Sequence, residues 1–361
     1  MRKKAKILIL TAAVLLLAAA CGQMTGTSSP SVTPTPSDAS DYKVIFLTSG
    51  TQAPISAVSY DLLHTVITIS LYDSADYDLL RQCFALIDQY EHLLSRTLED
   101  TEIYRLNHSE AGRLTVSDRT RELVELSLSY GALTHGALDI SIAPISELWD
   151  FVSGANHVPS KEEITARLPL VDYRKVSVEG NDIVLAPGMQ LELGAVAKGF
   201  IADRVKEFLK EQGVSSAVID LGGNVLLLGE KPDGAAFRVG IQKPFENRNS
   251  VVVAISELRD VSMVSSGIYE RYFTGEDGTF YHHILDPQTG YPCGNDLLQV
   301  TIVSPDSVTG DALSTSCFAL GLTEGLALIN SLENVYAVFL TADGTLVFSD
   351  GYLAAFPTET E

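Results

Sequence analysis

Residues 174–229 read RKVSVEGNDIVLAPGMQLELGAVAKGFIADRVKEFLKEQGVSSAVIDLGGNVLLLG, and the fold class turns on them. Residues 174–178 and 182–186 flank Glu179-Gly180-Asn181, a turn signal, and predict a β-hairpin. Residues 189–193 predict a further strand. A helix is expected over about 195–212, ending before Gly213, since glycine readily takes the left-handed conformation that closes a helix. Residues 216–220 and 224–229 then predict two strands around Leu221-Gly222-Gly223. Strands joined by turns this short run antiparallel, and the helix falls between strand blocks rather than after every strand. That is an α+β arrangement, not a doubly wound α/β one.

The same pattern extends outward. Residues 65–72, TVITISLY, predict a strand. Over 74–95, Leu79, Leu80, Cys83, Phe84, Ile87, Tyr90 and Leu94 recur at the spacing that paints one face of a helix. A second helix is expected over 118–133, capped by Ser117, with Leu123, Leu126, Tyr130 and Leu133 inward. Ser160 with Glu163 forms a capping-box start for a short helix at 161–168. Downstream, strands are expected at 236–242, 250–256, 261–266, 280–285 and 298–304. Helices at 308–320 and 323–331 and a hairpin of 335–341 with 345–349 close the chain. Nothing resembling a linker divides residues 42–361. The expectation is therefore mainly antiparallel sheets with interspersed helices, in two closely packed lobes that share a continuous core.

The chain has 361 residues, 46% of them hydrophobic, enough to bury a large core. Residues 1–20, MRKKAKILILTAAVLLLAAA, have the basic start, apolar run and small residues of a secretory signal. The run ends in Ala18-Ala19-Ala20-Cys21, similar to a bacterial lipobox, which makes Cys21 the expected lipidation site. Loss of Arg2, Lys3, Lys4 and Lys6 with the signal would take the formal charge from −21 to −25. Such a surface repels nucleic acid and anionic headgroups. Residues 22–41 are rich in Ser, Thr and Pro and predict a disordered tether. No later segment is read as a membrane-crossing helix. Cys83, Cys293 and Cys317 are too widely spaced for a zinc or redox motif; Cys83 and Cys317 read as small core residues.

Several segments have the composition of a site, and each has a plainer reading. Glu192-Leu193-Gly194-Ala195-Val196-Ala197-Lys198-Gly199 lies at a strand-to-helix junction, where small residues let a ligand approach backbone, and free N–H groups face an anion. Lys198 falls within reach of a phosphate there; taken alone, the segment reads as a tight turn with a solvated lysine, because small-residue turns are common. Asp220-Leu221-Gly222-Gly223-Asn224 reads as a turn or as a close approach to a cofactor. Tyr281-His282-His283-Ile284-Leu285-Asp286-Pro287 places His283 where a strand enters a loop. Its ordinary pKa near about 6.5 suits a general base. His282 points to the opposite face. Asp311 and Thr315 stand four apart on a helix, so their hard oxygens share a face suited to Mg²⁺ or, more plainly, Asp311 offsets the helix dipole. Trp149, the sole tryptophan, reads as core.

Their order along the chain is more specific than any one of them. Ser95 with Glu102-Ile103 and Leu106-Asn107, Ala137-x-Asp139-Ile140-Ser141-x-Ala143-Pro144, Leu193-Gly194-Ala195-Val196-Ala197-Lys198-Gly199-x-x-Ala202-Asp203, Asp220-Leu221-Gly222-Gly223-Asn224, Ser265-Ser266-Gly267-x-Tyr269-Glu270-Arg271-Tyr272-Phe273, His282-His283-Ile284-Leu285-Asp286-Pro287 and Asp311-Ala312-Leu313-Ser314-Thr315 follow in succession. This set closely resembles the FAD:protein FMN transferase family, also called ApbE, over about residues 60–345.

The resemblance implies an α+β enzyme that takes FAD as substrate with Mg²⁺, releases AMP, and attaches FMN to a Thr or Ser hydroxyl. The acceptor would be an extracytoplasmic flavoprotein with a D/S-G-A/S-T-like sequence. It implies Asp311 and Thr315 as metal ligands, with the Ala195 carbonyl as a third. Lys198, Glu192, Leu63, Thr97, Ala137, Leu138, Asp139 and Ile284 would contact FAD, and His283 would act as base. Thr97 and Leu138 stand where the family often has aromatics, so flavin stacking is weaker here. The alternatives are an FAD pyrophosphatase, giving FMN and AMP, and a non-catalytic FAD-binding lipoprotein.

Overall fold

The computed structural model describes residues 42–151, 156–246, 252–276 and 278–360; the expected signal peptide, Cys21 and the tether to residue 41 lie outside the described residues. The strands are β1 (Ile45–Phe46), β2 (Ile55–Ser59), β3 (Ile67–Leu71), β4 (Arg113–Thr115), β5 (Ser177–Glu179), β6 (Asp182–Val184), β7 (Ala217–Leu221), β8 (Asn224–Leu228), β9 (Phe237–Gln242), β10 (Val252–Leu258), β11 (Ser262–Gly267), β12 (Tyr272–Thr274), β13 (Phe280–His282), β14 (Leu297–Ser304), β15 (Tyr336–Thr341), β16 (Leu346–Phe348) and β17 (Thr358–Thr360). The helices are α1 (Tyr77–Leu94), α2 (Glu102–Asn107), α3 (Asp118–Leu133), α4 (Ala143–Trp149), α5 (Lys161–Arg167), α6 (Ala197–Glu211), α7 (Ser307–Ile329) and α8 (Tyr352–Ala355).

A nine-stranded sheet in the order β1-β2-β3-β7-β8-β11-β14-β15-β16 organises the molecule. Every neighbouring pair in it is antiparallel. Side chains alternate between faces along a strand. Leu226 and Leu228 of β8 therefore join α1, α6 and α7 in the main core, while Leu227 packs on the other face with Phe237, Ile241 and Leu258 of the β9-β10-β17 sheet. Burial on both faces accounts for the unbroken apolar run of β8.

Between β3 and β7 the chain inserts α1 to α6 and the small sheet β4-β6-β5. The β12-β13 hairpin, inserted between β11 and β14, packs Phe273 with Trp149, Ile145 and Leu285 in a third cluster. Trp149 is fully buried and donates from Nε1 to the Gly290 carbonyl, 2.8 Å away. Cys83, Cys293 and Cys317 are buried free thiols.

The structure departs from the expected elements at three places. Residues 189–193 form no strand. The Asn107 side chain takes both backbone groups of Leu191, at 2.7 and 2.9 Å, and Glu192 N–H donates to Ile140 O, so no ladder bonds remain for a neighbour. The strand expected over 280–285 stops at His282, because the Ile284 N–H turns back to His282 Nδ1, 3.3 Å away. The two late helices run as one element, α7, interrupted only at Gly321, whose φ of 76° is non-helical. By length and composition α7 is apolar enough to span a bilayer, contrary to the sequence expectation. It packs on β11 and β14, and its apolar content is that of a core helix.

Candidate active site at the crossing of two helix N-termini

Neither α6 nor α7 has a side-chain cap of its own: Val196 cannot provide one, and Asp306 makes none. The first N–H groups of a helix need partners, and here each helix supplies them to the other. Asp203, in the second turn of α6, accepts from Ser307 N–H at 2.8 Å and Val308 N–H at 2.9 Å. Asp311, in the second turn of α7, accepts through Oδ2 from Gly199 N–H at 2.8 Å. The crossing is close enough that a Cβ on Gly199 would collide with the Ser307 carbonyl, so residue 199 has to be glycine.

The two carboxylates differ in what remains. Both Asp203 oxygens are used, and burial pushes its pKa up to about 7 against the two backbone bonds, which favour the charged form. Asp311 is only 2% exposed, yet its Oδ1 faces Lys198 Nζ at 3.6 Å, beyond hydrogen-bond length. Gly199 N–H turns to Asp311, while the opening bonds of α6 run from Ala197 to Leu193 and from Phe200 to Val196. Ala195, whose carbonyl is outside that pattern, is half-buried. Thr315 Oγ1 lies 3.1 Å from Ser266 Oγ, which also bonds Ser314 Oγ at 2.8 Å; Ser314 in turn donates to the Asp311 carbonyl. Through Ser266, strand β11 links the hydroxyl of Thr315 to Ser314 and so to the backbone carbonyl of Asp311.

By ligand chemistry alone, these oxygens are of the kind magnesium takes. Carboxylate, hydroxyl and carbonyl oxygens are hard ligands, and a carboxylate oxygen with only an ammonium 3.6 Å away is a receptive one. Among the described residues no three His, Cys, Asp or Glu side chains converge to hold a metal. Three protein oxygens leave coordination positions for substrate phosphate and water, as Mg²⁺ usually requires.

The adjacent histidines carry opposite tautomers. His282 is buried; its Nε2–H donates to the Cys293 carbonyl at 3.1 Å, and Nδ1 accepts from Ile284 N–H. Both ring nitrogens are thereby occupied. His283 is half-buried, and its Nδ1–H donates to the Arg271 carbonyl at 3.2 Å, which leaves the Nε2 lone pair available. Desolvation, then the nearby Arg271 and Lys198 charges, hold its pKa well below the usual imidazole range. It is a neutral base at physiological pH.

The remaining expected FAD contacts lie on several segments, and two of them, Leu138 and Ile284, are buried core side chains. Thr97 is exposed on the loop after α1, its Oγ1 3.2 Å from Ser95 Oγ. The neighbouring Arg96 pairs with Glu192 at 3.2 Å and Glu147 at 3.5 Å, and Ser146 also donates to Glu192. Asp139 is buried and accepts from Ser141 N–H, Ser141 Oγ and Tyr173 N–H; burial raises its pKa against those bonds. Leu138 and Ile284 lie inside the main core, and Ala137 is half-buried. Leu63 takes a left-handed φ of 53°, held by its N–H bond to Glu91, 3.0 Å away. Along the chain, the segment 192–198 runs from the Arg96–Glu192 pair to the Lys198–Asp311 pair.

The sequence reading assigned nothing to Asp203, Arg96, Ser266 or Arg271. The quoted motifs contained Asp203, Ser266 and Arg271, and no local spacing reports that Asp203 caps a helix a hundred residues away.

Residues 63–340 match the ApbE family. The chain is 37% identical over 293 residues to the FAD:protein FMN transferase of Klebsiella pneumoniae, covering 80% of this chain and 90% of that protein. It is 36% identical to the FAD:protein FMN transferase of Treponema pallidum, over 75% of this chain and 79% of that one. In three dimensions it is similar to the flavin transferase ApbE from Vibrio cholerae, with a TM-score of 0.73, 27% identity, and coverage of 87% and 99%. With this match spanning the elements that build the helix crossing, the chain belongs to the ApbE family.

Proposed function

We propose that this chain is an FAD:protein FMN transferase that acts with Mg²⁺. The observation that carries the reading is the Asp311 carboxylate, buried at the N-terminus of α6 with one oxygen facing Lys198. Asp311, Thr315 and the Ala195 carbonyl would hold the metal, with FAD diphosphate oxygens completing its shell. When bound, Mg²⁺ would neutralise charge on the reacting phosphoryl group, an effect on the order of several kcal/mol.

The protein's own groups do the rest. The α6 N-terminus and Lys198 attract the diphosphate. The segments holding Leu63, Thr97, Ala137, Asp139 and Glu192 border the flavin end. His283 Nε2 takes the proton from the acceptor Thr or Ser hydroxyl as that oxygen bonds to the FMN phosphorus. The bond between that phosphorus and the bridging oxygen breaks, and AMP leaves with the electron pair. Burial, with the Arg271 and Lys198 charges, holds His283 a weak base; an anionic diphosphate would offset those two charges and strengthen it.

Incubation with FAD, Mg²⁺ and a peptide of D/S-G-A/S-T-like sequence is expected to give an FMN-peptide adduct and AMP by mass spectrometry. FMN and AMP without adduct would replace the transferase reading with a pyrophosphatase. FAD retained intact would leave only a binding lipoprotein. The N-terminal address supports an extracytoplasmic enzyme anchored by acylation of Cys21, which metabolic labelling with a palmitate analogue should detect and Cys21→Ser should abolish.

A further inference from the structure

We infer that Lys198 is the resident counter-cation of Asp311, and that it yields the carboxylate to a divalent cation and turns to the FAD diphosphate. This inference rests on the proposed metal site and concerns how that site fills. Asp311 is 2% exposed, and a buried carboxylate is stabilised by positive charge beside it. Gly199 N–H supplies one partial charge at Oδ2, and Lys198 supplies the full charge near Oδ1. At 3.6 Å the ammonium attracts the carboxylate without a hydrogen bond, so less is lost when it leaves. With 32% of its side chain exposed, Lys198 also has room to swing.

The consequence is a coupled entry of metal and substrate. A divalent cation arriving alone takes Lys198's partner and meets its like charge. When FAD arrives too, its diphosphate offers Lys198 a new anion next to the one it has lost. Each ligand therefore tightens the other, by the reciprocity that links any two binding sites.

Mn²⁺ titration followed by electron paramagnetic resonance, with and without FAD, tests this on the full folded domain. Wild type is expected to bind Mn²⁺ weakly alone and roughly 10-fold or more tightly with FAD, within the common range of site coupling. Lys198→Met should bind Mn²⁺ alone roughly 10-fold tighter than wild type and lose most of the FAD effect. Lys198→Arg, which keeps the charge, should bind Mn²⁺ alone as weakly as wild type. Unchanged or weaker Mn²⁺ binding by Lys198→Met without FAD overturns the inference. The control is Asp311→Asn: if it keeps wild-type Mn²⁺ affinity, the metal site itself is misplaced, a failure distinct from that of Lys198. Thermal unfolding of each variant establishes that it is folded.

Discussion

At the start of α7, Asp203 commits both carboxylate oxygens to backbone N–H groups; at the start of α6, Asp311 commits one and keeps the other facing Lys198. The two N-termini are built with the same device, a carboxylate from the second turn of the partner helix. They differ in the number of backbone donors that meet it. Two donors complete Asp203, which becomes a clasp. One donor leaves Asp311 an oxygen for chemistry. In this crossing the proposed metal role falls on the unspent acceptor, and the glycine that permits the close approach serves both ends.

The sharpest way to separate the two ends is to neutralise each. Asp311→Asn keeps an acceptor for Gly199 N–H and removes the charge. We expect it to stay folded and lose roughly 10²- to 10³-fold in kcat for FMN transfer, the scale of a lost electrostatic stabiliser. Asp203→Asn should do the reverse. Its amide leaves one of the Ser307 and Val308 N–H groups unsatisfied, costing about 1–3 kcal/mol of stability by denaturant titration, with most activity kept in the folded fraction. Equal kinetic losses in both variants would dissolve the distinction.

Gly199→Ala strikes the shared contact. It should cost about 1–3 kcal/mol through the clash with Ser307 and lower metal affinity as well, because Asp311 is displaced.

The pH dependence of stability distinguishes the ends more gently. The folded pKa of Asp203 is raised from 3.8 to about 7, so its contribution is fully present below the unfolded value and is lost as pH rises through about 7. His282 and His283 are lowered from 6.5, so theirs is present above that value and lost as pH falls. In Asp203→Asn the loss toward neutral pH should vanish while the loss toward acid remains, as thermal unfolding across pH 4 to 8 would show. The smallest change is expected at the far end of the site: Thr97→Tyr should tighten FAD by roughly 0.5–1.5 kcal/mol through stacking, measured by flavin fluorescence.

Much of this was legible along the chain. Helix periodicity placed α1 and α3 within a few residues, Ser160 and Glu163 form the expected capping box, and the hairpin at Gly222-Gly223 joins β7 to β8 as read. These are local matters, decided by side-chain spacing and turn chemistry over a few residues. The strand expected at 189–193 failed because Asn107, more than eighty residues upstream, takes its backbone bonds.

The order of motifs was enough to resemble the ApbE family, and with it came Asp311, Thr315, Lys198 and His283 as residues of one site. Sequence alone could not say why Asp311 is held open while Asp203 is closed. That depends on which N–H groups a second helix brings within 3 Å, a property of packing between segments separated by about a hundred residues. It also left the two histidines undivided in chemistry: only the carbonyls of Cys293 and Arg271 decide which ring nitrogen keeps its proton and which is free to take one.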